Sequence, residues 1–179
     1  GVFYLDAVFI SHEDYDHCGA LASLKEHFKV KKVIYDFKKK TIGDLVFKNL
    51  ALDKYYTNSN DRSSIIYVTI NRLNYLFTGD ISKEVESDLY QIYHHLDVDV
   101  LKVAHHGSSS SSSDDLFKMI DPKVALISVG KNNRYRHPSY LTLNRLEAYG
   151  VKIYRSDLQG MVKIVYYGGK NYIMTSSGF

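Results

Sequence analysis

Residues 11–17 read Ser11-His12-Glu13-Asp14-Tyr15-Asp16-His17, and they directly follow an apolar run, residues 5–10, that predicts a buried strand. A loop at the end of a rigid strand is a common place for functional side chains. Neutral imidazole and carboxylate groups are usual ligands of divalent transition metals. In an extended loop, His12 and Asp14 can point one way while Asp16 and His17 close from another side. The spacing therefore allows a site for two adjacent metal ions.

Two later strands are predicted to end in the same kinds of group. The apolar run 75–77 leads to Asp80, and the run 98–104 leads to His105 and His106. Because loops at strand ends carry function while the sheet supplies rigidity, we expect these side chains to join the 11–17 loop.

Together these motifs resemble the metallo-β-lactamase fold, whose signature loop is usually His-x-His-x-Asp-His. Here Asp14 stands where the second His is usual, and this variant is similar to the C-terminal domain of the ComEC DNA-internalisation (competence) proteins. The later segments that carry the resemblance are Phe77-Thr78-Gly79-Asp80, residues 100–108 (VLKVAHHGS), Ile127-Ser128-Val129-Gly130, Asn133-Arg134-Tyr135 and His137-Pro138. They keep the family's order and, with the first loop, cover most of residues 5–165.

The resemblance implies two divalent metal ions, with Asp80 as the carboxylate that bridges them. Of His105 and His106, one is implied to be a ligand. Local spacing does not separate the two, and the Gly107-Ser108 turn favours His106. The implied metal ligands are His12, Asp14, Asp16, His17, Asp80 and His106, with His105 as the alternative.

One ligand of the family's usual set, a His before the Thr78-Gly79-Asp80 strand, is missing from residues 53–64. Either Asp61 or an Asn fills that position, or the second ion is held weakly. The exchange of His for Asp14 makes the set richer in oxygen, which favours Mn²⁺ or Mg²⁺ without excluding Zn²⁺. We expect Mn²⁺ or Zn²⁺, with Mg²⁺ also compatible.

Length and composition predict one α/β domain over residues 1–179. The chain has 179 residues, of which 45% are hydrophobic, so it can bury a sizeable core. The resemblance implies an αβ/βα sandwich of mixed sheets. The strands that precede the His loop in that fold, with their Gly-x-Gly-Asp and Asp-x-Gly motifs, have no counterpart here. We therefore expect a domain that lacks its first N-terminal strands and is a fragment of a larger protein.

Hydrophobic periodicity predicts helices and strands in alternation. Helices are expected over residues 19–28, 83–95, 114–120 and 139–149. Strands are expected over residues 5–11, 32–35, 65–70, 75–78, 99–104, 123–129, 152–155, 161–167 and 171–175. Residues 37–62 are predicted to be irregular, with strand character at 44–50, and the serine run 108–113 is predicted to be a loop.

The polar segment before Pro138 suits contact with a phosphate or a leaving group. Arginine pairs with phosphate oxygens through its planar fork of N–H donors. The resemblance implies substrate contacts from Lys102, Ser108, Asn133, Arg134 and Tyr135, and a catalytic role for His137. A plain surface loop is the alternative interpretation of this segment.

The chain is mildly basic, with a formal net charge of +3, and three lysines are adjacent at Lys38, Lys39 and Lys40. Such a patch can attract phosphate backbones, although a solvated loop is the commoner meaning of three adjacent lysines. The resemblance implies DNA, in single-stranded form, as the partner. It also implies a membrane-embedded bacterial parent protein with this domain on the extracytoplasmic side. The alternative is a soluble, standalone hydrolase.

These observations predict metal-assisted hydrolysis of a phosphodiester. Asp16 would bind metal and orient or deprotonate the attacking water, and His137 or Arg134 would stabilise charge on the leaving group. Two alternatives remain open at this point: a hydrolase of another small ester or phosphoester, and a catalytically decayed module that guides DNA. The missing His favours the decayed module, whereas the otherwise near-complete ligand set opposes it.

Overall fold

The structure, a computed structural model, describes residues 3–178. In this part of the chain one seven-stranded sheet, three two-stranded pairs and six α-helices are present. The strands are β1 (Tyr4–Leu5), β2 (Val8–Phe9), β3 (Lys29–Val30), β4 (Val33–Ile34), β5 (Lys39–Ile42), β6 (Leu45–Asn49), β7 (Ile66–Ile70), β8 (Leu73–Phe77), β9 (Val100–Lys102), β10 (Val124–Ile127), β11 (Lys152–Arg155), β12 (Val162–Tyr167) and β13 (Lys170–Thr175). The helices are α1 (Tyr15–Cys18), α2 (Leu21–His27), α3 (Lys83–Tyr93), α4 (Asp114–Ile120), α5 (Tyr140–Ala148) and α6 (Ser156–Gln159).

The large sheet is mixed, with strand order β11-β10-β9-β8-β7-β6-β5. Strands β8 to β11 are parallel because α3, α4 and α5 provide the crossovers that parallel neighbours need. Strands β5 to β8 are antiparallel. The β7–β8 hairpin turns at Asn71 and Arg72, which both have positive φ, as a two-residue hairpin turn requires.

The main hydrophobic core lies on one face of this sheet. Leu76, Leu101 and Ala125 are paired in register on β8, β9 and β10, and each is almost completely buried. They pack in one cluster with apolar residues of α3, α4 and α5, including Leu89 and Phe117. Alternation along the strands turns Phe77 and Lys102 to the opposite face, toward the candidate site.

The predicted α/β architecture with a mixed sheet is confirmed. The predicted first strand, however, is divided into β1 and β2, which pair in parallel with β3 and β4. Their ladder continues across the interruption, since Lys31 N–H donates to Leu5 O and Val8 N–H donates to Lys32 O, both at 2.9 Å. Among the described residues, β1 to β4 thus form a second layer of short strand pairs, whereas the large sheet forms a continuous first layer.

Two local predictions were wrong. The metal-ligand loop is not extended throughout: the carbonyl of Asp14 accepts hydrogen bonds from His17 N (2.9 Å) and Cys18 N (3.0 Å), which winds residues 15–18 into a helical turn. Residues 39–42, predicted to be irregular, form the edge strand β5, which pairs with β6. The turn between the two strands contains Gly43, whose φ is positive. The helix predicted over residues 19–28 is present as α2 (Leu21–His27), and α1 lies before it.

The serine run is a loop, as predicted, and it is firmly held. The buried carboxylate of Glu86 on α3 accepts hydrogen bonds from Ser112 N (2.7 Å) and Ser113 N (2.6 Å). The hydroxyl of Ser111 donates to Ile81 O at 2.7 Å. Because one carboxylate satisfies two amides that α4 leaves unpaired at its start, α3 and α4 are locked together at this point.

No helix among residues 3–178 combines the length and the apolar character needed to cross a bilayer.

We predict that Glu86→Ala lowers the free energy of unfolding by about 3 kcal/mol, because the N–H groups of Ser112 and Ser113 lose their hydrogen-bond acceptor in the protein interior. Glu84→Ala on the same helix is the matched control. Glu84 is mostly exposed and forms only a surface ion pair with Lys54, so its loss should cost less than about 1 kcal/mol. Urea denaturation of both variants measures the difference, and equal losses would contradict the assigned role of Glu86.

Candidate metal centre

The first loop holds two imidazoles by their Nδ1 atoms. Ser11 Oγ lies 3.1 Å from Nδ1 of His12 and 3.1 Å from Nδ1 of His17. The buried Ser63 Oγ gives His12 Nδ1 a further partner at 3.2 Å. When the hydroxyl oxygens accept from the Nδ1–H groups, both Nε2 atoms carry a free lone pair, as a metal-ligating His does. Both Nε2 atoms are buried: His12 Nε2 has no hydrogen-bond partner in the described part of the chain, and His17 Nε2 faces the Asp80 carboxylate.

Strand β8 delivers Asp80 to the same point. Gly79 has a φ of +55°, and a Cβ there would come within 2.5 Å of the Ser63 Cβ, so the close approach of the two loops requires glycine. Ser63 Oγ in turn accepts from Asp80 N at 3.1 Å. Asp80 is only 5% exposed, and its Oδ1 lies 3.2 Å from His17 Nε2.

The charge of Asp80 is stabilised by imidazoles. Burial alone would raise the pKa of Asp80, but contact with His17 and the nearby His105 and His106 outweigh burial and lower it to about 2. The Asp80 carboxylate correspondingly raises the pKa of His17. His12, further from the carboxylate, has its pKa lowered by burial and by His17. Asp80 is therefore an ionised acceptor at neutral pH.

The loop after β9 supplies the last group. His105 and His106 both have positive φ, at 48° and 53°, and this backbone turns their rings to different sides. His106 Nδ1 donates to Ser128 O at 2.7 Å, and His106 Nε2 lies 3.1 Å from Asp16 Oδ2. His105 Nε2 and His106 Nε2 each lie 3.9 Å from Asp80 Oδ2, and the contact with Asp16 distinguishes His106.

Four predicted ligands thus converge: one atom each from Asp16, His17, Asp80 and His106 lies within 4.8 Å of the others. These residues fit a divalent ion. Since the carbonyl of Ser128 can only accept, His106 Nδ1 carries a hydrogen, and a neutral ring then turns its Nε2 lone pair toward the Asp16 carboxylate. Two electron-pair donors 3.1 Å apart need a proton or a cation between them. Ligands about 2.1 Å from one ion have this kind of mutual spacing.

His12 and Asp14 stand apart from this cluster. The His12 Nε2 to Asp14 Oδ2 distance is 3.7 Å, and the Asp14 side chain is 45% exposed. Asp61 does not fill the place of the missing His: its Oδ1 accepts from Ser82 N at 2.7 Å at the start of α3. Ser63 is the side chain that lies between His12 and Asp80. Sequence reasoning missed Ser63, because a serine in a polar segment carries no distinguishing pattern.

The segment before Pro138 lies beside the cluster. Its shape is fixed by Asn133, whose side chain donates to His137 O (2.7 Å) and accepts from His137 N (2.9 Å). The His137 ring lies 5.7 Å from that of His105, and burial together with His105 and His106 lowers the pKa of His137. Tyr135 stacks on His137 at 5.8 Å.

Other predicted substrate contacts differ in their accessibility. Arg134 is stacked on Tyr135 with its Cζ 4.6 Å from the ring centre. Lys102 faces the cavity beside the cluster, and burial lowers its pKa although Asp80 opposes the shift. The hydroxyl of Ser108 is engaged inside the serine loop, with Ser110 Oγ at 2.9 Å and Ser110 N at 3.2 Å.

The three adjacent lysines lie at the edge of the large sheet. Lys38 precedes β5, and Lys39 and Lys40 are its first two residues. Because successive strand residues point to opposite faces, Lys39 shares a face with its partner Lys48, and Lys40 shares the other face with its partner Phe47. The lysine run is therefore divided between the two sides of the sheet.

Comparison with known proteins gives a consistent picture. Residues 3–57 match the family model described as the metallo-beta-lactamase superfamily. ComE operon protein 3 of Bacillus subtilis strain 168 is 30% identical over 206 aligned residues, which cover 99% of this chain and 26% of that protein. Competence protein ComA of Neisseria gonorrhoeae is 29% identical over 177 residues, covering 91% of this chain and 26% of that protein.

The chain spans about a quarter of the length of the curated relatives it matches. Among solved structures, a mutant of CmlA beta-hydroxylase superposes with a TM-score of 0.55 at 12% identity, covering 85% of this chain and 43% of the other. At that identity the likeness shows a shared fold alone. The chain therefore has a metallo-beta-lactamase-like α/β fold, matches that superfamily's model over residues 3–57, and resembles one segment of ComE operon protein 3 and one segment of competence protein ComA.

Proposed function

We propose that the chain is a metal-dependent hydrolase that cleaves phosphodiester bonds of DNA. The observation that carries the proposal is the convergence of Asp16, His17, Asp80 and His106, in which a ring nitrogen and a carboxylate face each other at 3.1 Å. Such a pair of electron-pair donors is suited to a shared divalent ion. The buried Nε2 atom of His12, which has no hydrogen-bond partner among the described residues, supports the same conclusion.

In this proposal Asp16, His17, Asp80 and His106 would hold one ion, and His12 and Asp14, together with Asp80, would hold a second. The mixed nitrogen and oxygen donors suit Mn²⁺ or Zn²⁺, and Mg²⁺ is compatible. Divalent ions in such a site act as Lewis acids, lower the pKa of water and orient a phosphate.

The protein groups around the ions have separate roles. Ser11, Ser63 and the Ser128 carbonyl fix the tautomers and ring orientations of the histidines. Asp16 is the most exposed of the four carboxylate and imidazole groups, so it is placed to accept a proton from an attacking water as well as to bind metal. His137, next to His105, faces the leaving-group side, and Arg134 and Tyr135 lie farther along the same loop.

The substrate and the setting are proposed from the relatives. One of them is named competence protein ComA and another ComE operon protein 3, and DNA uptake is the process that we infer from these names. Lys38, Lys39 and Lys40 would attract the phosphate backbone. We place the domain in a bacterial membrane protein, on its extracytoplasmic side, acting on single-stranded DNA. A soluble, standalone hydrolase is the alternative setting.

The direct test incubates the full chain with a labelled single-stranded oligonucleotide and Mn²⁺, Mg²⁺ or Zn²⁺, with EDTA as control. Cleavage that needs a divalent ion supports the proposal. A phosphorylcholine ester and an acyl ester, offered in parallel, separate a DNA phosphodiesterase from a hydrolase of small esters. Metal binding without turnover of any of these substrates would indicate a catalytically decayed module and overturn the proposal.

We predict that Asp16→Ala lowers kcat/KM for DNA cleavage at least ~100-fold and weakens Mn²⁺ binding in calorimetry, because a metal ligand is lost. Glu13→Ala is the matched control. It removes an exposed carboxylate from the same loop, and its side chain lies outside the four-residue cluster. Undiminished cleavage by Asp16→Ala would refute the assignment of Asp16.

We predict that Lys39→Ala weakens DNA binding at low salt and lowers the slope of log K against log salt by about 0.7, the contribution of one phosphate contact to a single strand. Turnover at saturating DNA should hardly change, since Lys39 lies on the edge strand and not among the ligands. Lys170→Ala, at the exposed β12–β13 turn, is the control. Fluorescence anisotropy across a salt series gives the comparison, and identical slopes for both variants would refute a role for Lys39.

A further inference from the structure

A cavity of about 490 Å³ opens directly beside the cluster. One wall is formed by the candidate ligands Asp16, His17 and His106. The opposite wall is apolar and is lined by Phe9, Phe47, Ile66 and Phe77. Pockets of this size accommodate one small organic group, and the lining combines a flat apolar wall with convergent charged groups.

The register of the sheet explains how this wall forms. Phe77 is paired with Ile66 on one side and with Lys102 on the other, so the three side chains share one face. Phe47 on β6 belongs to the same face and stands opposite Lys40 on β5. The apolar wall therefore ends in a lysine at each side.

Most side chains of the apolar wall are aromatic. The Phe9 ring lies 4.7 Å from that of Phe47 and 5.1 Å from that of Phe37, measured between ring centres. Phe77 is stacked on Tyr75 at 6.2 Å, with the ring planes only 12° apart. Phe77 is also 37% exposed, which leaves its ring accessible from the cavity side.

We propose that this cavity binds an unpaired nucleobase, stacked against Phe77 and Phe47, with the adjoining phosphodiester directed to the cluster. The inference rests on the proposed function and names the form of its substrate. Aromatic rings beside cations are the usual means of holding single-stranded nucleic acid, because every base has a π-face and every linkage a negative charge. In a duplex the bases are stacked on each other and cannot reach the wall.

Binding without hydrolysis provides the test. The full chain in EDTA is titrated, by fluorescence anisotropy, with a short oligothymidylate and with an abasic oligonucleotide of the same length and charge. The wild-type chain should bind the thymidylate at least about fivefold more tightly, as expected for one stacked base. Phe77→Leu keeps an apolar side chain but removes the aromatic face, so it should abolish most of this preference, and Phe77→Trp should restore it.

Two controls separate stacking from charge and from general aromatic exposure. Lys40→Ala, at the end of the apolar wall, should weaken the binding of both oligonucleotides equally, since Lys40 acts on the backbone alone. Tyr167→Ala removes an exposed ring on β12, away from the cavity, and should leave the preference unchanged.

The outcomes distinguish the two proposals. Equal affinity of the wild-type chain for both oligonucleotides would overturn the nucleobase site, whether or not the chain cleaves DNA. It would favour the view that the apolar wall is covered by another protein segment. A preference that survives in Phe77→Leu would overturn it as well. A preference that Phe77→Leu abolishes, in a chain that cleaves no DNA with any metal, would support the nucleobase site and refute the proposed hydrolysis.

Discussion

A buried carboxylate that faces imidazoles governs the organisation of this molecule. Asp80 is almost removed from solvent, and a charge in that position is tolerated only when opposite charge or strong donors surround it. His17 provides the closest contact, and His105 and His106 add to it. The contact between Gly79 and Ser63, the left-handed backbone of residues 105–106 and the capture of His17 by Ser11 all serve to bring these groups together. The site thus favours positive charge at its centre.

The two sides of the centre are unequal. Asp16, His17, Asp80 and His106 offer four ligand atoms that lie close together. On the other side, His12 and Asp14 offer two ligand groups, and Asp80 is the only further group of the candidate set beside them. Ser63 lies between His12 and Asp80 and binds both through its hydroxyl. A hydroxyl there orients the neighbouring groups but is a much weaker metal ligand than an imidazole. The proposed second ion would therefore be held by fewer strong ligands than the first.

Much of this arrangement could be predicted from the sequence, because the groups that converge each follow a buried strand. Parallel strands β8, β9 and β10 end at the same edge of the sheet, so Asp80 and His106 had to meet once the strands were recognised. The choice of His106 over His105 depends on left-handed backbone angles that no local pattern reveals. Strand β5 escaped prediction because Lys39–Ile42 alternates over only four residues, and its pairing with β6 gives it order. The contribution of Ser63 depends on a contact 51 positions away in the chain.

Identical residues of the serine run make different hydrogen bonds. Ser108 binds Ser110, Ser111 donates to Ile81 O, and Ser112 and Ser113 deliver their amides to Glu86. Ser113 also accepts from Leu116 N and thereby begins α4. One end of the run is fixed to the His106 loop and the other to a helix. The run therefore works as a spacer between the His106 loop and α4, and its length is set by these contacts and not by its composition.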